Sequence, residues 1–303
     1  MGRDTGGLRE EINRVLRGVG ALAVGFARAE EVAPAVMHAY DLWIKEGRHA
    51  GMGYMADYRE LRRDPRLLLE GGVTVISMAF SYHTEAKRDS RLPHIAKYAF
   101  LPDYHKWIRK TIKQSGIEGL LGKEHEDWRL CIDTAPIFER YWAWKAGIAI
   151  IGKNGAAIIP GIGCEIFLAE IICKTFLEPS GTLANECGNC GACHKACPTG
   201  ALGDELSIDC DKCLSYLTIE HRGAWINNKH LTALATREGE STIFGCDRCI
   251  SICPHNTYEH RAIVEPLREV LDFAGGEAPP GSCLKRAKRI LGTPGGITVE
   301  VSD

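Results

Sequence analysis

Cys187, Cys190, Cys193 and Cys197-Pro198 read C-x2-C-x2-C-x3-C-P. With this spacing bacterial chains hold two four-iron clusters at once: three close thiolates ligate one cluster, and the cysteine before proline ligates the other. A second copy, Cys246, Cys249 and Cys253-Pro254, is incomplete, because Ile243 stands where its leading cysteine would fall. The missing ligand must come from elsewhere, and KCLSY offers Cys213. The expected sets are Cys187, Cys190, Cys193 and Cys253 on one cluster, and Cys197, Cys213, Cys246 and Cys249 on the other. Cys210, three residues before Cys213, competes for the last place. Structural zinc also favours C-x2-C pairs, but it closes with four ligands and rarely uses the C-x3-C-P ending. A disulfide framework suits small secreted domains, whereas this chain has 303 residues.

A chain of this length holds about two domains, and a cluster module alone would be far shorter. Residues 1–180 read as an α/β domain: a helix through Leu8, Ile12, Val15 and Leu16, a buried strand over 21–29, a helix over 33–46 and a strand over 73–80. Tyr104 to Ser115 reads as a helix, 129–133 as a strand ending at Asp133, and Pro136 to Ala146 as a helix, before three further strand-like runs. Residues 181–258 change to short elements around cysteines, a ferredoxin-like two-cluster domain. Residues 259–303 read as an amphipathic helix and a Gly/Pro-rich tail. No apolar run reaches the roughly 18 residues of a membrane span, and the opening MGRDTGGLREEINRVL lacks an apolar signal core. Thiol-rich, cluster-bearing and without such a core, the chain is expected in the reducing cytoplasm. A formal charge of −2 gives no global nucleic-acid footprint, so any polyanion contact must be a local patch.

Spacing alone does not identify the electron acceptor. No G-x-G-x-x-G follows a strand, no C-x3-C-x2-C is present, and Asp103-Tyr104-His105 fails to complete the D-x-H-x-x-G of histidine-ligated corrinoid sites because Ile108 replaces the glycine. Asp133, by itself, reads as a strand-end cap on the following helix.

Six segments in order resemble the epoxyqueuosine reductase family: HAGMGYM, KYAFLPDYHKW, CIDTAPIFERYWAWKAGIAIIGKN, CGNCGACHKACPTGAL, KCLSYLTIEHRG and FGCDRCISICPHN. The resemblance covers about residues 8–258. It implies the last step of queuosine formation at the tRNA anticodon wobble position, two four-iron clusters, and a base-off cobalamin with no protein histidine on cobalt. It implies that Asp133 donates a proton, its carboxyl raised by burial, and that Ser215 contacts cobalamin with Asp247 near the corrin. Tyr104 and His105 then lie beside the substrate, Lys153 and Asn154 in the turn near the cofactor, Tyr54 on an approaching loop, and His221 and Arg222 towards cobalamin and tRNA. The partners implied are epoxyqueuosine-bearing tRNA and an external low-potential donor such as ferredoxin or flavodoxin. The chain departs from the family at Leu101-Pro102, Ala149-Ile150, Gly155 and Ala169, all around the substrate, and ends before the helical-repeat domain that many members carry. A related corrinoid reductase of another electrophile and a non-catalytic electron carrier are the competing readings. Arg59, Arg62, Arg63 and the basic run at 285–289 are the candidate phosphate contacts.

Overall fold

The computed structural model describes residues 5–184, 187–203, 207–222, 242–257, 264–273, 279–280, 282–284, 288–293 and 296–301. The first part runs α1 (Thr5–Gly18), β1 (Ala23–Arg28), α2 (Pro34–Lys45), α3 (Gly53–Asp57), α4 (Arg59–Arg63), β2 (Thr74–Ser81), β3 (His94–Ile95) and α5 (Tyr104–Gln114). It continues with α6 (Glu118–Leu121), β4 (Trp128–Cys131), α7 (Glu139–Lys145), β5 (Ile150–Ile151), β6 (Ala157–Ile158) and β7 (Ile166–Cys173).

The centre is a four-stranded sheet of order β1-β2-β7-β4. Every pairing in it is antiparallel. The fold is therefore mixed α/β in content, with helices on both faces of an antiparallel sheet. All eight residues of β2 are buried, which explains why its sequence, TVISMAFS, carries no charged residue and is mostly apolar on both faces. Its side chains still alternate between faces. Ile76, Met78 and Phe80 pack with Ile12 and Leu16 of α1 and Ile108 and Ile112 of α5. Val75 joins Met37 and Tyr40 of α2 and Tyr141 and Trp142 of α7 on the other side. The end of α7 lies so close to β1 that a Cβ on Gly25 would meet Ala146 O at 2.1 Å. Only glycine allows that approach.

Beyond the sheet come α8 (Ala192–Ala196), α9 (Leu214–Ile219), β8 (Thr242–Phe244), which pairs in parallel with β3, and a short helix over Arg248–Ser251. The amphipathic helix expected in the C-terminal segment is a four-residue turn, Arg268–Leu271, and the expected tail contains an antiparallel hairpin of β9 (Lys288–Thr293) and β10 (Gly296–Val301). The Ile-, Val- and Thr-rich stretches there favour a pleated strand over a helix. Of the basic run, Lys285 and Arg286 lie outside the described residues, and Lys288 and Arg289 are on β9.

Candidate active site and cluster cradle

β4 ends at Cys131, and two residues later Asp133 occupies the left-handed region with φ +48°. For a residue with a Cβ, that conformation costs roughly 1–3 kcal/mol and persists only where surrounding contacts impose it. Three do. The Asp133 backbone N–H donates to Glu139 Oε1 at 2.6 Å. The Tyr104 hydroxyl donates to Asp133 Oδ2 at 2.7 Å, and His105 Nε2 lies 3.2 Å from the same oxygen. Asp103 fixes the start of α5 by accepting from His105 N at 3.1 Å and contacting His105 Nδ1 at 3.1 Å. Tyr104 also stacks on Phe167 of β7, with ring centroids 4.4 Å apart and planes at 10°. The helix-capping reading of Asp133 does not hold: α7 begins at Glu139, and its N-cap residue is Phe138, with no side-chain cap.

Tyr104, Asp133, Glu139 and Phe167 line a cavity of about 270 Å³, whose walls also include Tyr82, Arg140 and Ile250, and His105 braces Asp133 at its edge. The protonation pattern differs from the expectation. Burial pushes the Asp133 carboxyl up, but hydrogen bonds from His105 and Tyr104, with the charges of His105 and Arg140, bring it below the ordinary carboxylate value. His105 is raised, first by its bond to Asp133. Glu139 is the carboxyl that moves up, to about 8, chiefly through burial and then through repulsion by Asp133. Tyr54, on α3, is half-exposed, yet its phenol is pushed up to about 12 by burial, with Glu220 and Asp133 adding to the effect.

The cysteines gather in two groups. Burial pushes Cys249 up to about 12, and Cys246, Cys213, Cys197 and Cys193 add repulsion. Cys213 is pushed up to about 11 by burial, with Cys246 and Cys197 beside it. Cys193, raised first by burial, is crowded by Cys187 and Cys190. Cys253 and Cys187 share one apolar cluster. Cys210 instead packs with Leu214, Tyr216 and Leu217, and its charged neighbours besides Cys213 are Asp209, Asp211 and Arg140. The Ala201 N–H donates to Cys197 Sγ at 3.3 Å. Among the described residues, no three cysteine, histidine or carboxylate groups converge as a single-ion site.

The remaining candidates are dispersed. Asn154 Nδ2 donates to Cys249 O at 2.9 Å, and Lys153 Nζ reaches Asn189 Oδ1 at 3.4 Å, so the glycine-lysine-asparagine turn faces the cluster segments. Ser215 is half-buried on α9. His221 is buried, its Nδ1 lying 3.4 Å from the Tyr216 hydroxyl, and Arg222 donates to Ile219 O and His221 O behind α9. Asp247 Oδ2 accepts from Lys97 N at 2.7 Å, and its Oδ1 lies 3.1 Å from His94 Nε2, so both oxygens bracket β3 and the segment after it. Arg59 is bonded to Asp41, and Arg63 to Glu31 and Glu60. Arg62 is buried. Sequence reasoning missed Glu139, Arg140, Phe167 and Glu170. The available signal was a second carboxylate six residues after Asp133, inside a segment already singled out.

Comparison with known proteins identifies the family. Residues 62–134 match the family described as epoxyqueuosine reductase QueG, DUF1730, and residues 186–256 match the 4Fe-4S double cluster binding domain. The epoxyqueuosine reductase of Leadbetterella byssophila is 36% identical over 231 residues, covering 76% of this chain and 72% of that protein. That of Vibrio cholerae is 35% identical, covering 78% and 62%. The solved structure from Streptococcus thermophilus superposes with a TM-score of 0.71 at 28% identity, covering 86% of this chain and 68% of that one. An epoxyqueuosine reductase solved with an epoxyqueuosine-modified tRNA-Tyr stem loop gives 0.76 at 25% identity, covering 88% and 71%. With that identity sustained over most of both proteins, the chain belongs to the epoxyqueuosine reductase family and is an oxidoreductase.

Proposed function

We propose that the chain reduces epoxyqueuosine to queuosine at the tRNA wobble position, with Asp133 as the proton donor and electrons passing through two 4Fe-4S clusters from an external ferredoxin- or flavodoxin-like donor. The observation that carries this reading is the Asp133–Tyr104–His105 constellation in a cavity whose wall includes Ile250, flanked in sequence by Cys249 and Cys253. Residues 1–180 form the substrate and cofactor domain, 181–258 the cluster domain, and 259–303 the C-terminal extension. Opening the epoxide and releasing its oxygen as water consumes two electrons and two protons, so an acid beside the reacting oxygen and a route for electrons are both required.

The donor set fits the clusters. Crowded thiols raised by one another are relieved by a cationic core, and a backbone N–H aimed at Cys197 suits a cluster sulfur ligand. Spread around a four-iron body, the cysteines need not converge as they would on one ion. We assign Cys187, Cys190, Cys193 and Cys253 to one cluster and Cys197, Cys213, Cys246 and Cys249 to the other. Cys213→Ser should lose one cluster, leaving about four of eight irons per chain on iron analysis, while Cys210→Ser keeps both. The reverse result would sink the assignment.

The segment before the cavity fits a large polar cofactor: His49 Nδ1 and Arg62 Nε, on either side of Tyr54, are buried without a hydrogen-bond partner among the described residues. Cobalamin would be held by Tyr54, Ser215, Lys153, Asn154, His221 and the 246–247 segment. Bound there, it supplies strongly nucleophilic reduced cobalt. Tyr104 and His105 orient the Asp133 carboxylate. No histidine is assigned to cobalt, so electron paramagnetic resonance of the cob(II)alamin complex should lack imidazole nitrogen splitting.

Recognition of tRNA is assigned to the anticodon loop, through Arg222 and the Arg59–Arg63 region. Arg59 and Arg63 already hold carboxylate partners, which limits the net positive charge offered to phosphates and implies a shallow salt dependence. The test is anaerobic turnover of modified tRNA, the anticodon stem loop and the free nucleoside, with cobalamin and a strong reductant. Comparable rates for tRNA and stem loop are expected. No reduction of either, with clusters and cobalamin in place, would favour a corrinoid reductase of another electrophile.

A further inference from the structure

The mechanism above uses one carboxyl, yet the site contains three in succession. Asp133 and Glu139 line the same cavity, and Glu139 Oε1 holds the Asp133 backbone N–H at 2.6 Å. Behind Glu139 lies Glu170, at the centre of the sheet, where its strand position faces Ser77 on one side and Cys131 on the other. Glu170 is fully buried. Its Oε1 accepts from Ser77 Oγ at 3.0 Å, and its Oε2 has no partner among the described residues. No basic side chain among the described residues is paired with it. An ionised carboxylate so placed would cost several kcal/mol, so Glu170 is held protonated, and Glu139 sits between it and an ionised Asp133.

We propose that Glu139 stores a proton for the reaction and passes it to Asp133, while pinning Asp133 in its left-handed turn. This rests on the proposed epoxide reduction, whose balance is one epoxide, two electrons and two protons giving one alkene and one water. The electrons come from the low-potential donor. Asp133 meets the reacting oxygen and delivers protons one at a time. At rest Asp133 is ionised and Glu139 protonated, so the Asp133 carboxylate takes the proton bound to Glu139 and hands it to the oxygen; Glu139 is then reprotonated from solvent through the open cavity and supplies the second proton by the same route.

The groups facing Glu139 are Asp133, His105, Arg140 on its own helix, Tyr104 on α5, Cys131 on β4 and the protonated Glu170 on β7. Asp133 repels a negative charge on Glu139, whereas Arg140 and His105 favour it. Burial dominates, and Glu139 titrates near 8. The sign follows: the proton is present below that pH and lost above it, so turnover should fall as pH rises through about 8.

Glu139→Gln keeps an oxygen to accept the Asp133 N–H but cannot carry the proton. We expect kcat to fall by about 10²-fold, the lower end for general-acid assistance, with KM little changed and the limb near pH 8 absent from the residual activity. Glu139→Asp should restore part of kcat together with a descending limb. Independently of turnover, infrared difference spectra of the cluster-loaded wild-type protein should show a protonated carboxyl band that titrates near pH 8 and is missing from Glu139→Gln. Wild-type kcat and an unchanged limb in Glu139→Gln, or a spectrum with no such band in the wild type, would overturn the proposal. If the wild type fails to reduce epoxyqueuosine but shows the band, the substrate assignment fails and the stored proton stands. Should Glu139→Gln not fold, the wild-type titration and the Glu139→Asp pH profile still decide the matter.

Discussion

Asp133→Asn should fold, keep both clusters and bind cobalamin, yet lose about 10²–10⁴-fold in turnover, the usual contribution of a positioned acid. The asparagine side chain has the same shape and can still accept the Tyr104 hydroxyl proton, and the backbone bond to Glu139 does not depend on the carboxyl. Only the exchangeable proton is removed. Single-turnover kinetics with the tRNA stem loop, beside iron content and cobalamin absorption, make the measurement. Near-normal rates would remove Asp133 from the chemistry. The three bonds at Asp133 hold its turn in place.

Trp142→Ala should be strongly destabilising, by about 3–5 kcal/mol, the range for emptying a buried aromatic site. The indole is fully buried between α7 and the sheet, in a cluster with Val75, Ile172, Met37 and Tyr141. The denaturation midpoint of the cluster-loaded protein should fall with an unchanged slope. Because α7 begins at Glu139, loosening its seat should also disturb Asp133. A midpoint shift worth under about 1 kcal/mol, the average for any substitution, would show that the helix is held by its ends instead.

The elements that the sequence exposed are those set by local pattern. Leu8, Ile12, Val15 and Leu16 marked α1, and the mostly apolar stretch VTVISMAF over 73–80 marked a strand, which the fold buries on both faces. Their assembly was hidden. Nothing in β7 announces that it inserts between β2 and β4 with reversed polarity, because pairing is decided by contacts far apart in sequence. The cluster cysteines stood out because their spacing is local, whereas spacing does not separate Cys213 from Cys210; in the fold Cys246 packs against the cluster that holds both, and Cys213 also lies beside Cys197. Asp133 was found but misread in detail. Asp-Thr-Ala-Pro looks like a helix start, yet Thr134 N bonds back to Ile132 O and Ile137 N to Ala135 O, so the chain makes tight turns before the helix opens at Glu139. Those turns depend on Glu139 and Tyr104, and no local propensity encodes them.

Ile250 lines the cavity from between two cysteines assigned to different clusters, and its carbonyl oxygen accepts from Asn256 Nδ2 at 2.7 Å. The segment that anchors iron is thus also a wall of the reaction chamber. Stripping iron by oxygen would free Cys249 and Cys253 and release that wall, so oxidative damage would weaken substrate capture as well as interrupt the supply of electrons. Air-exposed protein should then lose affinity and reducibility together, and restoring the clusters should return both.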